Sequence, residues 1–180
     1  MYDTLIVHGS FGSPFENWFP WLSQQLGTRG HRVLVPHFPG DELQNLDRWS
    51  GVLDSYRGCF SERLVIYGHS LAAAFLVDYF TAKKMPVAKA VFVAPFYGLI
   101  GIPEFDAVNC TFFADEALLT AFGERCDDVV CVFSDNDPYV PSSLSKKFAE
   151  LTRAKVRLVA GGRHLNTEAG FVQFPALLEV

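Results

Sequence analysis

The chain has few features that would mark a secreted, redox-active or metal-binding protein. Its 180 residues include only four cysteines, Cys59, Cys110, Cys126 and Cys131, and no two of them form a C-x-x-C pair. Neither a zinc knuckle nor a dithiol redox site is therefore indicated. No apolar run approaches the roughly 20 residues that a membrane-spanning helix needs. The first apolar run starts almost at Met1, which leaves no room for a signal peptide. We expect reduced thiols and a cytoplasmic protein.

Charge of either sign is also thinly spread. Fifteen basic and twenty acidic residues give a net charge of −5, without a block of one sign that could follow a phosphate backbone or an anionic bilayer. Neither nucleic acid nor a membrane is expected as a partner. Apolar carbon is plentiful, because 49% of the residues are hydrophobic and 17 are Phe. We expect one domain over residues 1–180 with an aromatic-rich core.

Short apolar runs without polar alternation recur along the chain, a pattern typical of strands covered on both faces of a parallel sheet. Segments with helical spacing separate these runs, and such alternation specifies right-handed βαβ units. The sequence therefore predicts an α/β fold with a doubly wound parallel sheet of about six strands and helices on both faces. The predicted strands are residues 4–7, 32–35, 63–67, 88–94, 129–133 and 156–159.

Stripes of apolar side chains predict the main helices. The first stripe contains Pro20, which is tolerable only in a first turn. Asp41 is the predicted N-cap of the second, and Ser142 or Ser143 that of the fourth. The third is apolar around much of its circumference, so we expect it to be deeply buried. The stripes lie within residues 18–26, 46–56, 72–80 and 144–151.

One irregular stretch, from Pro95 to Asp128, is too long for a simple connection. Its apolar spacing predicts only a short helix around residues 117–122. Long excursions of this kind are often functional, so the stretch is a candidate lid or pocket wall.

The string from Leu64 to Ala72 predicts a buried strand that turns sharply into an apolar helix at Ser70. A serine at such a turn projects its hydroxyl above the sheet edge, and small residues two positions away on either side allow the tight fold. Gly68 and Ala72 occupy those positions, so the motif is G-x-S-x-A rather than G-x-S-x-G. The start of the helix directs N–H groups at a nearby anion, which makes the N–H of Leu71 a candidate oxyanion donor.

Partners for this serine are present in the expected order, with an acid after a later strand and a histidine after the last one. The fifth predicted strand runs into Asp135-Asn136-Asp137, and the sixth into a glycine pair before His164. We favour Asp137 as the orienting acid because a proline-rich turn follows it, and Asp135 is the alternative. His164 is the predicted general base and Ser70 the nucleophile. A surface histidine after two glycines is the competing interpretation.

The loop after the first strand, His8-Gly9-Ser10-Phe11-Gly12, supplies two glycines and a sharp bend. It is the expected source of the second oxyanion donor, with the N–H of Ser10 as the first choice and that of Phe11 as the second. An ordinary strand-to-helix turn is the alternative. His8 is expected to brace the loop, and no histidine has the spaced ligand partners of a metal site.

Aromatic side chains near the predicted strand ends are candidates for the wall of an apolar substrate pocket. Core packing is the competing interpretation for each of them. The candidates are Phe11, Trp18, Phe96 and Tyr139, with Tyr97, Phe112 and Phe113 in the same stretches.

These strings, in this order, resemble the α/β-hydrolase superfamily, and within it the small serine hydrolases of the retinoblastoma-binding protein 9 and YdeN family. The likeness spans nearly the whole chain. It implies an α/β-hydrolase fold with a minimal sheet, no large cap domain and no cofactor, and it places Ser70, Asp137 and His164 in a catalytic triad. Ala72 and Arg163 depart from the family pattern without removing a reacting group. The matching strings are His8-Gly9-Ser10 with Gly12-Ser13-Pro14 and Trp18, the proline-rich loop leading to Trp49, Gly68-His69-Ser70, Ser134 to Pro141, and Gly162-Arg163-His164-Leu165-Asn166.

The sequence therefore predicts an esterase that cleaves small or medium carboxylic esters through an acyl-enzyme intermediate. A thioesterase or peptidase with the same triad, and a non-catalytic protein-binding module on this scaffold, are the alternatives. A dinucleotide-binding fold is disfavoured because Gly9 and Gly12 break the G-x-G-x-x-G spacing. A small-molecule ester is the expected partner, and the sequence leaves a protein partner undecided.

Overall fold

A parallel sheet forms the centre of the molecule. The structure is a computed structural model that describes residues 1–40 and 43–180. Its strands are β1 (Tyr2–Val7), β2 (Val33–Leu34), β3 (Phe60–His69), β4 (Lys89–Val93), β5 (Val129–Ser134) and β6 (Lys155–Val159). They lie in the order β2-β1-β3-β4-β5-β6, and each neighbouring pair is parallel. All six predicted strands are confirmed.

Helices connect the strands and cover both faces of the sheet. Within the described residues they are α1 (Phe19–Thr28), α2 (Leu46–Asp54), α3 (Ala72–Ala82), α4 (Pro103–Asn109), α5 (Glu116–Gly123) and α6 (Ser142–Leu151). The predicted deep burial of α3 is confirmed, because residues 72–77 are fully buried. No helix in this part of the chain is long and apolar enough to cross a bilayer.

Successive side chains of each strand enter different cores, because they point to opposite faces of the sheet. In β1, Leu5 and Val7 pack with the side chains of α2, α3, α5 and α6, whereas Ile6 packs with those of α1. Apolar side chains are thus buried on both faces, as a doubly wound sheet requires. The outer strand β6 is the exception, with Val156 and Leu158 52% and 56% exposed. It pairs with β5 alone at the edge of the sheet.

The predicted N-caps need correction. α2 begins after Asn45, whose Oδ1 accepts a backbone N–H of the first turn (2.9 Å). The predicted cap Asp41 lies outside the described residues. α6 begins after Pro141, so Ser142 and Ser143 already lie inside its first turn and neither caps it.

The excursion between β4 and β5 contains more structure than the sequence predicted. α5 confirms the short helix expected around residues 117–122. α4 was not predicted, because a helix of 7 residues is too short for its few apolar side chains to establish a helical period.

The parallel arrangement decides where functional side chains can meet. All neighbouring strands are parallel, so the carboxyl ends of β1, β3, β5 and β6 lie along the same side of the sheet. We call this side the carboxyl edge. The loops that follow these strands carry the candidate site residues of the sequence. The same edge is the usual place of ligand sites in such sheets.

Candidate active site

Ser70 lies in a tight turn between β3 and α3. Its φ angle is 58°, in the left-handed region that residues other than glycine rarely adopt, and its N–H donates to the carbonyl of Val93 (2.8 Å). Space beside the turn is scarce, because a Cβ on Gly68 would lie 2.8 Å from Leu76 Cδ1 and 3.3 Å from the Ala72 backbone. A side chain at this position would force Leu76 and the Ala72 backbone to shift, so packing favours the glycine. The turn presents Ser70 at the carboxyl ends of the strands.

The side chains of Ser70, His164 and Asp137 form a continuous hydrogen-bond chain. His164 Nε2 lies 3.2 Å from Ser70 Oγ, and His164 Nδ1 lies 2.8 Å from Asp137 Oδ2. A carboxylate only accepts, so Nδ1 carries the proton and Nε2 offers its lone pair to the serine hydroxyl. All three side chains are nearly buried, which strengthens their interaction. The structure thus brings together the three residues that the sequence singled out.

The two candidate acids have different partners. Asp137 Oδ1 accepts the N–H groups of Tyr139 (2.9 Å) and Val140 (3.0 Å), which leaves Oδ2 for the histidine. Asp135 Oδ1 instead accepts the N–H of Gly161 (2.8 Å). The geometry therefore supports Asp137 as the residue that orients the imidazole of His164. Asp135 instead holds the backbone at Gly161, in the loop that leads to His164.

Two further side chains at the end of β5 hold the loop that carries His164. We call the segment 134–140, which carries Asp137, the acid loop, and the segment 160–166 the histidine loop. Ser134 Oγ donates to the carbonyl of Arg163, and Asn136 Oδ1 accepts the N–H of the same residue (2.8 Å). Arg163 has a φ angle of 49°, a conformation in which glycine would be less strained. The two hydrogen bonds fix the peptide groups on both sides of Arg163, so this departure from the family pattern is accommodated beside His164.

His69 supports His164 from the buried side. Its Nε2 donates to the carbonyl of His164 (3.0 Å), and the two ring centroids are 4.8 Å apart. Burial, followed by the nearby His164, lowers the pKa of His69 to about 3. The His69 ring is therefore neutral near pH 7, and it fixes the backbone of the histidine loop without acting as a base.

The buried His69 predicts a pH dependence of stability. Its pKa falls from 6.5 to about 3 on folding, so between these values the unfolded chain binds a proton that the native chain does not. The free energy of unfolding should therefore decrease as the pH falls, by at most about 1.4 kcal/mol per unit from this group. We expect His69→Gln, which retains a donor, to reduce that slope in urea unfolding between about pH 6 and pH 4.

A residual slope of the same sign should remain, because burial also lowers the pKa of His8. Parallel stability curves for the wild type and His69→Gln would contradict the prediction.

Trp18 requires a correction. The sequence placed it in the pocket wall, but it is fully buried and its ring packs against Phe19 and Phe174 in the core beneath α1. A buried indole N–H needs an acceptor, and Trp18 Nε1 donates to the carbonyl of Leu165 (3.1 Å). The side chain therefore supports the histidine loop and does not line the cleft.

The loop after β1 lies directly against the serine. A Cβ on Gly9 would lie only 2.9 Å from the serine Cβ, so glycine is needed for this close approach. The N–H of Phe11 donates to Gln44 Oε1 (3.1 Å), whereas no acceptor among the described residues takes the N–H of Ser10 or Leu71. The geometry therefore favours Ser10 over Phe11 as the partner of Leu71 in an oxyanion hole.

His8 braces this loop, as the sequence predicted. The N–H of Phe38 can only donate, so His8 Nε2 accepts (3.1 Å) and Nδ1 is the donor to the carbonyl of Gly9 (2.8 Å). Since both ring nitrogens are occupied and burial lowers the pKa of His8, it is a neutral bridge and not a second base.

A cleft of about 440 Å³ opens above the serine and the histidine. Phe11, Phe96 and Tyr139 line it, and Phe105 of α4 adds a wall that the sequence did not reveal. The Phe105 ring lies 5.5 Å from that of Phe11 and 6.3 Å from that of Tyr139. The one signal in the sequence was the length of the stretch from Pro95 to Asp128, which made it a candidate pocket wall. The remaining aromatic candidates, Tyr97, Phe112 and Phe113, pack against the core.

Another part of the cleft is acidic. Glu16 and Glu168 line it, and the segments that carry them are joined by the N–H of Thr167, which donates to Asn17 Oδ1 (2.8 Å). Glu168 also accepts the hydroxyl of Tyr139 (3.1 Å). Neither Lys nor Arg is among the described residues that line the cleft, so its potential disfavours anionic substrates.

Comparisons with known proteins show the family and the fold of the chain. A serine hydrolase family model matches residues 4–180. YdeN of Bacillus subtilis (strain 168) is 24% identical over 178 residues, which cover 97% of this chain and 92% of YdeN. The crystal structure of the ydeN gene product from B. subtilis matches with a TM-score of 0.87 and 22% identity, and the match covers 99% of this chain and 96% of that one.

More distant structures share the fold. Est1E from Butyrivibrio proteoclasticus, solved with ferulic acid bound, has a TM-score of 0.74 and 16% identity over 99% of this chain and 89% of its own. These matches confirm the predicted α/β-hydrolase fold, and the family match confirms the resemblance that the sequence indicated. Because the family model spans almost the whole sequence, the chain belongs to the serine hydrolase family.

Proposed function

We propose that the chain hydrolyses small to medium carboxylic esters, with Ser70 as the nucleophile. The observation that carries the proposal is the hydrogen-bond chain from Asp137 through His164 to Ser70 at the floor of the cleft. A serine hydroxyl is a weak nucleophile, and an adjacent, oriented base activates it. Membership of the serine hydrolase family supports hydrolysis as the reaction class.

In the first half-reaction, Ser70 Oγ attacks the ester carbonyl carbon while His164 Nε2 takes the hydroxyl proton. Asp137 keeps the imidazole in the Nδ1–H tautomer and stabilises the imidazolium that forms. His164 then returns the proton to the leaving alcohol oxygen as its bond to carbon breaks. The acyl group remains on Ser70, and the alcohol leaves.

Water completes the cycle through the same base. His164 Nε2 takes a proton from water as its oxygen attacks the acyl carbon, and returns the proton to Ser70 Oγ as the acid is released. In both half-reactions the negative oxygen receives hydrogen bonds from the N–H groups of Ser10 and Leu71. Loss of one such donor typically costs a factor of about 10²–10³ in kcat.

The shape of the cleft supports a compact substrate. A volume of about 440 Å³ and the aromatic side chains of Phe11, Phe96, Phe105 and Tyr139 suit an apolar acyl or alcohol group. We therefore place the preferred substrates among small and medium esters and not among triglycerides.

Hydrolysis of p-nitrophenyl esters of increasing acyl length tests the proposal. We expect turnover of the short and medium esters and a decline once the chain outgrows the cleft. A thioester and a p-nitroanilide with the preferred acyl group complete the comparison. If the thioester or the anilide is hydrolysed faster than the ester, the proposed substrate class becomes thioesters or amides. If none of these substrates is hydrolysed, the proposal that the chain is a hydrolase of this kind is contradicted. A non-catalytic protein-binding module on the same scaffold would then be favoured.

The acidic residues of the cleft predict a preference by charge. Glu16 and Glu168 should slow the hydrolysis of esters that carry a carboxylate on the alcohol group, relative to neutral esters of the same shape. The double variant Glu16→Gln with Glu168→Gln should raise kcat/KM for the anionic ester roughly 5- to 30-fold, since it removes two exposed charges and each contributes about 1 kcal/mol at contact distance.

The neutral ester should be unaffected in that double variant, and added salt should reduce the difference. Glu150→Gln on the exposed surface of α6 serves as the control, and it should change neither substrate. An equal gain for both esters would contradict an electrostatic preference.

A further inference from the structure

A buried polar cluster lies behind the loop that follows β1. It consists of the side chains of Ser10, Gln44 and Asn109, and Gln44 and Asn109 are 5% and 1% exposed. Gln44 Nε2 donates to Asn109 Oδ1 (2.6 Å) and to Ser10 Oγ (3.2 Å), while Ser10 Oγ donates to Asn109 Oδ1 (2.7 Å). Gln44 Oε1 accepts the N–H of Phe11 (3.1 Å). The cluster therefore joins three segments that are distant in the sequence.

The backbone fixes the direction of every hydrogen bond in this cluster. The N–H of Phe11 can only donate, so the Gln44 atom facing it must be the oxygen. The amide nitrogen of Gln44 then faces Ser10 and Asn109, and the Asn109 atom that meets two donors must be its oxygen. Turning the amide of Gln44 or of Asn109 around would bring two donors or two acceptors together. The cluster therefore has one hydrogen-bond arrangement, and it holds the loop after β1 in one conformation.

The loop held by the cluster needs such support. Phe11 has a φ angle of 56°, and the left-handed region is strained for a residue other than glycine. Gly9 is packed against the serine so closely that the loop has no room to shift toward it. Gln44 occupies the N–H of Phe11, and the adjacent N–H of Ser10 is left to face the reacting oxygen.

We propose that Gln44 and Asn109 are positioning residues of the oxyanion hole. They do not contact the substrate. They act by holding the Ser10 side chain and the N–H of the next residue, Phe11, so that the backbone N–H of Ser10 keeps its position. This inference rests on the proposed ester hydrolysis. It gives α4 a role beyond that of a cleft wall, because Asn109 at its last position completes the cluster.

The expected effect is specific to the transition state. Gln44→Met retains the length of the side chain but leaves the N–H of Phe11 without its acceptor and Ser10 Oγ without its donor, so that Ser10 is held less firmly. Complete loss of an oxyanion donor costs about 10²–10³ in kcat, so a donor that is misaligned but present should cost roughly 10- to 100-fold. KM should change by less than about threefold, since the oxyanion forms only after binding.

Kinetics of the full-length protein test the proposal with variants Gln44→Met and Asn109→Leu. Ser10→Ala is a milder variant that keeps the backbone N–H and covers the case in which the other two fail to fold. Thr152→Val is the matched control, because it removes another buried hydrogen bond, from Thr152 Oγ1 to the carbonyl of Phe148 (2.8 Å), at the end of α6. Thermal unfolding of each variant separates loss of stability from loss of rate.

Two readouts distinguish positioning from a purely structural role. We expect kcat to fall without a shift in the pH midpoint of kcat. We also expect the affinity for a trifluoromethyl ketone, which forms a tetrahedral oxyanion on the serine, to weaken by the same factor as kcat/KM. The double variant of Gln44 and Asn109 should lose less than the product of the single losses, because both residues hold Ser10 through one hydrogen-bonded cluster.

The inference is overturned if the variants keep the wild-type kcat, if only KM rises, or if Thr152→Val loses as much rate for the same loss of stability. An active wild type with unaffected variants would overturn this inference alone. A wild type that hydrolyses no ester, thioester or anilide would overturn the proposed function as well.

Discussion

Replacement of His164 by alanine is expected to lower kcat for ester hydrolysis by roughly a million-fold, the loss seen when a serine and its base act as one unit. His164 contacts Ser70 at 3.2 Å and Asp137 at 2.8 Å, so a single change removes both links. The neighbouring His69 cannot substitute, because its Nε2 faces the carbonyl of His164 and burial lowers its pKa to about 3. Steady-state kinetics with p-nitrophenyl acetate measure the loss.

His31→Ala is the control for this experiment. His31 is an exposed histidine that lies 3.3 Å from Asp3, away from the cleft, and its removal should leave kcat unchanged. A folded His164→Ala variant that kept more than about one-hundredth of the wild-type kcat would contradict the assignment of this residue as the base.

Replacement of Asp137 by asparagine should have the second largest effect, a decrease of about 10⁴-fold in kcat. An amide in place of the carboxylate can donate to Nδ1 and so favours the tautomer with the proton on Nε2, where it blocks the transfer from the serine. Because Asp137 Oδ1 also accepts the N–H groups of Tyr139 and Val140, the asparagine can keep its loop in place. Kinetics and thermal unfolding on the same samples separate the two contributions.

Asp135→Asn is the matched control. It retains an oxygen for the N–H of Gly161, the contact that Asp135 makes in the structure, so activity should remain close to the wild type. A larger loss in Asp135→Asn than in Asp137→Asn would reverse the assignment of the acid.

Most of the sheet could be predicted because strands buried on two faces must be continuously apolar. The same rule failed for the burial of β6, since Val156 and Leu158 are as apolar as the central strands and only the strand order makes them an edge. α4 was missed because a helix of 7 residues is too short to show a clear helical period in the sequence. A local run of apolar residues is thus enough to predict that a strand exists. Its position in the sheet depends on the order of all the strands and cannot be read from that run.

The candidate triad could be predicted because its order along the chain follows from the order of the strands. The choice between Asp135 and Asp137 needed coordinates, since both lie in the same turn and only their hydrogen bonds differ. Trp18 was placed wrongly because an aromatic residue near a strand end packs into a core as readily as into a cleft. Gln44 and Asn109 gave no signal of a role at the site, because ordinary amides 65 residues apart meet only in the folded chain.

Labelling with a fluorophosphonate probe, followed by mass spectrometry of the peptides, tests the central claim most directly. A phosphonate attaches to a serine only where a base activates the hydroxyl. We predict a single modified residue, Ser70, with labelling lost in Ser70→Ala and strongly slowed in His164→Ala. Labelling that persists in a folded Ser70→Ala variant, or that maps to another residue, would contradict Ser70 as the nucleophile.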